Sequence, residues 1–308
     1  MADSIMEENQ VRTNSTVIEK NYALYCGDSA EILTQIPSES IHYSIFSPPF
    51  LLLYAYSNSE RDLGNCESDE EFYEQFGYII RELYRVLKPG RLLSFHCMNL
   101  PMSKEKDGVI GLKDFRGDLI RAFCKEGFIY HSEVCIYKDP VTQMQRTKAL
   151  GLLHKQLKKD SAMSRQGIAD YLVTMRKPGD NNEPITHTNE TFPVAMWQHY
   201  ADPVWMDINP SDTLQKESAR EEKDERHIAP LQLEVIRRAI DLWTNPGDVV
   251  LTPFLGIGSE AYVALQKGRK AIGIELKESY FKQAVANCKS VTERTQMSME
   301  DILNGGGE

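Results

Sequence analysis

The chain has 308 residues, 41% of them apolar and 26% charged, the balance of an ordinary soluble globular protein. No apolar stretch approaches the roughly 20 residues a membrane helix needs, and the polar N-terminus MADSIMEENQVRTNS lacks the basic-then-apolar pattern of a secretory signal, so a cytoplasmic location is expected. The net charge of −10, taken as an average, argues against a nucleic-acid partner.

In chain order, residues 1–20 read as a flexible N-terminus, NYALYCGD as a strand ending at Gly27-Asp28, and IHYSIF as a second strand. After a polar loop, Ser68 and Glu71 form a capping box that opens a helix through DEEFYEQFGYIIRELYRVL. Its apolar residues Phe72, Phe76, Ile79, Ile80, Leu83, Val86 and Leu87 recur at helical spacing, and Pro89-Gly90 stops it. RLLSFHC is a strand, LKDFRGDLIRAFCKEG a helix closed by Gly127, and FIYHSEVCIYK a strand. This alternation predicts an α/β fold, a doubly wound and mostly parallel sheet with helices on both faces.

From about 140 to 226 the rhythm breaks. The segment is basic at first, then rich in Asn, Pro and Thr, and holds one expected strand at YLVTMR. It reads as an insertion with a separate task. Between Thr142 and Pro178, eight basic residues (Arg146, Lys148, Lys155, Lys158, Lys159, Arg165, Arg176 and Lys177) face only Asp160 and Asp170, a surplus of +6. By itself such a run is equally a solvated face. Order returns at HIAPLQLEVIRRAIDLW, where Pro230 suits the first turn of a helix. DVVLTPF is a buried strand, GIGSEAYVALQKG a glycine turn into a helix, AIGIEL a strand and KESYFKQAVANCK the last helix; residues 296–308 read as a flexible tail. The six cysteines, Cys26, Cys66, Cys97, Cys124, Cys135 and Cys288, form no CxxC pair and read as buried free thiols, with no metal site expected.

Two stretches carry chemistry. In LTPFLGIGSEAYVALQKGRKAIGIEL, Gly256 and Gly258 let a ligand approach the backbone, the next helix offers its N-terminal amides, and Glu275 ends the next strand, where a carboxylate takes ribose hydroxyls. The position of a third glycine is Ala261, which disfavours a dinucleotide and suggests S-adenosylmethionine. In Ser47-Pro48-Pro49-Phe50 two consecutive residues lack an N–H, so a strand exit becomes a stiff rim of acceptors beside a flat aromatic ring. Such a rim can grip the hydrogens of an exocyclic amino group while the ring stacks on the base. The same four residues are also a plain strand terminator followed by a core phenylalanine.

Together these pieces resemble the amino-group DNA methyltransferases that modify N6 of adenine or N4 of cytosine, in the order of the permuted β class. Their catalytic signature, Asp, Asn or Ser, then Pro-Pro and an aromatic, reads here Ser47-Pro48-Pro49-Phe50; their cofactor signature DPFxGxGT reads TPFLGIGS, residues 252–259. The resemblance implies a Rossmann-like catalytic half at 21–139, a target-recognition insertion at 140–226 and a cofactor-binding half at 227–295. It implies S-adenosylmethionine held by Asp28, His227, Pro230, Phe254, Gly256, Gly258, Ser259, Glu260 and Glu275, with Asp28 on the adenine amino group and Glu275 on the ribose. Thr252 stands where Asp is usual, and Glu260 where Thr or Ser is usual. Glu260 is then an acceptor for the cofactor's ammonium, or an exposed first-turn acid.

The resemblance further implies double-stranded DNA as partner, base flipping, a homodimer, and the eight basic residues of the insertion as its DNA contacts. Serine at the first catalytic position leans toward cytosine N4. Two other readings stay open: methylation of RNA or of a protein amide, and a catalytically inactive DNA-binding relative. A target sequence and a partner nuclease are not legible.

Overall fold

The computed structural model describes residues 13–51, 62–102, 104–147, 154, 167–215 and 230–303. Strands β1 (Thr13–Ile18) and β2 (Tyr22–Gly27) lead into a short helix α1 (Ser29–Ile32) and β3 (Ile41–Phe46). Helix α2 (Asp69–Val86) passes directly into β4 (Leu87–Met98). A small hairpin of β5 (Leu100–Met102) and β6 (Gly111–Lys113), with α3 (Lys104–Asp107) between, precedes α4 (Phe115–Lys125), β7 (Ile129–Ile136) and α5 (Pro140–Thr147). Next come β8 (Asp170–Arg176), α6 (Val194–Tyr200) and β9 (Val204–Trp205), and then α7 (Leu233–Trp243), β10 (Val249–Thr252), α8 (Ser259–Gln266), β11 (Lys270–Glu275) and α9 (Glu278–Leu303).

One sheet organises the chain, in the order β1-β2-β11-β10-β3-β4-β8-β7-β9. Its centre, β2-β11-β10-β3-β4, is parallel throughout. Alternation along these strands feeds two separate cores. Leu93, Phe95, Cys97 and Leu251 pack with α2 and α4 on one face. Tyr43, Ile45, Val250 and Leu24 pack with α7, α8 and α9 on the other. A parallel sheet covered on both faces puts its loops, and so its chemistry, at the carboxyl edge.

Helix α2 shows how local signals fix an element. Ser68 Oγ accepts the Glu71 amide at 3.1 Å, as a capping box requires, but the Glu71 carboxylate takes the Glu67 amide at 2.7 Å. All six apolar positions expected within the helix are buried. The helix ends at Val86, before Pro89, because Leu87 is already paired with Ile41 in the sheet.

Four expectations need correction. YLVTMR is not part of a separate insertion: β8 runs antiparallel between β4 and β7, inside the main sheet. Trp205, in the same stretch, is 1% exposed in the second core, while Trp197 is exposed. Residues 13–18 form an edge strand, and α9 continues to Leu303, against the flexible ends expected over 1–20 and 296–308. Pro230 lies before α7, whose N-cap is Gln232. Four of the six cysteines are buried, Cys135 is partly so and Cys124 is exposed. Among the described residues no helix is long and apolar enough to cross a membrane.

Candidate active site

Strands β2, β11, β10 and β3 each end in a residue or loop of interest, and parallel pairing brings those ends together. After β2, Asp28 caps α1 by accepting the Ala30 amide at 2.8 Å. Ser29 donates to the Pro253 carbonyl, tying that loop to the one after β10. At the end of β11, Glu275 accepts the Gly256 amide at 2.7 Å and the Lys277 amide at 2.9 Å. After β3 come Ser47 to Phe50. These ends border one cavity of about 360 Å³, a size suited to a small-molecule ligand.

The cavity is lined by Ser47, Pro48, Pro49 and Phe50 on one side and by Phe254, Gly256, Ser259, Glu260 and Glu275 on the other. Asp28 and Pro230 also reach it. The two signature stretches, some two hundred residues apart in sequence, therefore share one space. Gly256 has φ +54 and a Cβ built there meets nothing within 4 Å, so its backbone is open to approach. Gly258 differs. With φ +92, its added Cβ would sit 3.0 Å from Ala284 Cβ, and the residue does not line the cavity. Its lack of a side chain serves the packing of α8 on α9. His227 lies outside the described residues.

Two of the acids that line this space have raised carboxyls. Glu260 is buried in the first turn of α8, so it is not an exposed helix acid. Burial pushes its carboxyl up to about 8, with only its own amide pulling it down. Burial likewise raises Glu275 to about 7, against the pull of its two backbone donors. Thr252, in the place of the usual Asp, is 1% exposed and its hydroxyl has no hydrogen-bond partner among the described residues.

The tetrapeptide is held from both ends. The Phe50 ring lies 6.1 Å from Phe115 and edge-on to His96 at 6.2 Å. Leu51, next in line, has φ +48 with its side chain 2% exposed. A non-glycine residue in the left-handed region is strained, and here a buried anchor holds it.

Sequence reasoning missed Asp62, Gln75, Tyr78, Lys277 and Tyr280, which also line the cavity. It missed a chain of groups behind Ser47 as well. Ser47 Oγ is 3.2 Å from His96 Nδ1, His96 Nε2 is 2.9 Å from Asp170 Oδ2, and Lys138 Nζ is 2.5 Å from the same oxygen. The available signal was a histidine at the end of a buried strand and an acid opening an apolar run.

The basic residues divide. Lys177 is 6% exposed; its ammonium donates to the Leu87 carbonyl at 2.7 Å, pairs with Glu39 at 3.4 Å and lies over the Tyr84 ring. The expected DNA contact at Lys177 is corrected: it follows a central strand and clamps β8 to β4. Arg176 is half-buried on β8. Arg146 lies on α5, and Lys148, Lys155, Lys158, Lys159 and Arg165 lie outside the described residues.

The family model for DNA methylases of the N6/N4 type matches residues 41–286. The type II methyltransferase M.MjaI of Methanocaldococcus jannaschii is 24% identical over 85% of this chain and 89% of its own. The DNA adenine methyltransferase YhdJ of Escherichia coli is 25% identical over 84% of this chain and 80% of its own. Among solved structures, TTHA0409 of Thermus thermophilus, complexed with S-adenosylmethionine, superposes with a TM-score of 0.66 at 24% identity, over 87% of this chain and 93% of that one. The cytosine-N4-specific PvuII DNA methyltransferase gives 0.63 at 19% identity, over 96% and 97%. Both share the fold.

Proposed function

Because the chain belongs to the N6/N4 family of DNA methylases, we propose that it methylates the exocyclic amino group of a flipped base, cytosine N4 or adenine N6, at a specific site in double-stranded DNA. The observation that carries this reading is the single cavity bordered by both Ser47–Phe50 and the Phe254–Glu260 loop. The named relatives span both bases, one an adenine methyltransferase and one cytosine-N4-specific.

The cofactor is S-adenosylmethionine, which when bound supplies a methyl group on a positively charged sulfur. The residues present fit it. Gly256 leaves its backbone open to the cavity. Glu275 keeps lone pairs for ribose hydroxyls beyond its two backbone donors. Glu260 is a buried acid that a ligand cation would complete. Asp28 offers an acceptor for an adenine amino group, and Phe254 an apolar face, its ring 5.7 Å from Phe46.

On the substrate side the chain's residues do three things. Phe50 stacks on the flipped base, worth about 1–3 kcal/mol. Pro48 and Pro49 contribute no backbone N–H, so the rim presents acceptors to the amino hydrogens. Ser47 Oγ accepts one of those hydrogens and favours a pyramidal nitrogen with its lone pair free. Preorganised acceptors of this kind stabilise the positive charge that develops on the nitrogen.

The remaining segments of 140–226, without β8, β9 and the buried Lys177, read the DNA sequence, with the basic residues between Arg146 and Arg165 on phosphates. The functional unit is a homodimer. The test is incubation with labelled cofactor and mixed plasmid DNA, then nucleoside mass spectrometry. N4-methylcytosine or N6-methyladenine is the expected product; label on RNA or protein alone would overturn the reading.

A further inference from the structure

Ser47 can accept a hydrogen from the substrate amino group only if its own proton points elsewhere. We propose that Asp170 and Lys138, acting through His96, fix the direction of the Ser47 hydroxyl and then carry off the proton that the methylated nitrogen must lose. This rests on the reading of the cavity as an amino methyltransferase site.

The geometry sets each role in turn. Asp170 is 2% exposed, between β4 and β7 in the sheet. Burial pushes its carboxyl up, but His96 and Lys138 outweigh that and hold it below its usual value, so it is ionised. An ionised carboxylate only accepts, so His96 Nε2, 2.9 Å away, carries a proton, and in the singly protonated ring it is the only one. Nδ1 is then an acceptor, and the Ser47 O–H donates to it across 3.2 Å. Both Ser47 lone pairs are left for the substrate. The Phe50 ring, edge-on to His96, keeps the imidazole in place. His96 and Asp170 do not line the cavity, so they act through Ser47 as positioning residues.

The same chain balances the chemistry. The amino nitrogen forms a bond to the methyl carbon, and sulfur keeps the electron pair of the broken C–S bond. The nitrogen then holds one proton too many. That N–H bond breaks as an Oγ–H bond forms, the original Ser47 proton passes to His96 Nδ1, and the imidazolium is stabilised by the Asp170 carboxylate. Lys138 keeps that carboxylate from taking the proton itself. With no such path, Ser47 would have to turn its proton toward the cavity to receive another.

The experiment combines kinetics with ¹⁵N NMR of histidine-labelled full-length protein, the His96 signal being identified by its loss in His96→Phe. The wild-type protein is expected to show His96 protonated on Nε2 alone, and Asp170→Asn to move that proton to Nδ1. Single-turnover methyl transfer to mixed plasmid DNA should fall about 100-fold or more in both variants, with cofactor affinity by calorimetry changed less than threefold. His96→Gln, which can accept the Ser47 proton but not keep it, should recover part of the loss in His96→Phe. In a Ser47→Ala background His96→Phe should cost little further. An Nδ1-protonated His96 in the wild type would overturn the proposal, as would a His96→Phe protein with the wild-type rate, or additive losses with Ser47→Ala. If wild-type protein methylates no base, the function assigned above fails instead, while the tautomer still reports on the relay.

Discussion

Glu260 offers the sharpest test of the cofactor side, because burial there should cost stability in a pH-dependent way. Its carboxyl is raised from 4.5 to about 8 in the folded chain. Below pH 4.5 both folded and unfolded states are protonated, and the group is neutral in the balance. As pH rises from 4.5 toward 8 the unfolded chain loses this proton first, so stability falls by about 1.4 kcal/mol per unit until the folded carboxyl ionises. At pH 7 the accumulated cost is about 3 kcal/mol. Glu260→Gln keeps the shape and removes the ionisation. In urea unfolding the variant should match the wild type near pH 4.5 and exceed it by about 3 kcal/mol at pH 7. Its affinity for S-adenosylmethionine at pH 8 should drop about 10- to 100-fold, the worth of a charge-assisted hydrogen bond of roughly 1.5–3 kcal/mol. Calorimetry in buffers of different ionisation enthalpy should find close to one proton released on wild-type binding at pH 7, and none from this group in the variant. A stability difference independent of pH, or unchanged proton release, would refute the reasoning.

The two glycines of the cofactor turn should separate. Gly258→Ala meets Ala284 at 3.0 Å with φ +92 and should cost about 2–4 kcal/mol in urea unfolding, whereas Gly256→Ala meets nothing, costs only the strain of its φ +54, about 1–2 kcal/mol, and should lose cofactor affinity by calorimetry. Phe50→Ala should lower methyl transfer about 10- to 100-fold through lost stacking while cofactor affinity holds; equal loss of both would count against the role. Lys177→Met should lower stability and leave the salt slope of DNA binding unchanged, because its ammonium is spent inside the fold. Charge reversal at Lys158 and Lys159 together should instead flatten that slope by about 2.

What the sequence made legible was whatever depends on neighbours along the chain. The periodicity of α2, the cap at Ser68 and the strand ends before Ser47 and at Glu275 are local facts, and they sit where expected. The two signatures met in one cavity because parallel strands with crossover helices leave few other arrangements. What escaped was set by pairing between strands. YLVTMR looked like an island because its flanks are polar, yet its near-continuous apolar run is that of a strand buried on both faces. Lys177 counted as one more charge in a basic run because composition ignores where a chain enters the sheet. Gly258 looked equivalent to Gly256 because only the position of α9 tells them apart. The chain from Ser47 to Lys138 draws on four separate stretches, and no spacing rule joins them.

The two buried acids flanking this site stand in opposite conditions, and the difference follows from what each must meet. Asp170 has a histidine and a lysine beside it and is held ionised before any substrate arrives. Glu260 has no cation acting on it among the described residues and is held protonated. A group that must orient a hydroxyl and later steady an imidazolium needs its charge in place beforehand, since reorganisation at the moment of reaction would raise the barrier. A group that is to receive a cationic ligand does better neutral until the ligand comes, since an unpaired carboxylate in that cavity would cost several kcal/mol. Environments that push two like carboxyls apart in acidity assign them different tasks. By that logic an Asp170→Asn protein should keep its cofactor and lose its chemistry, and a Glu260→Gln protein should do the reverse at saturating cofactor, retaining its single-turnover rate once bound. Parallel loss of both functions in either variant would mean that the two acids act as one unit and that this division is wrong.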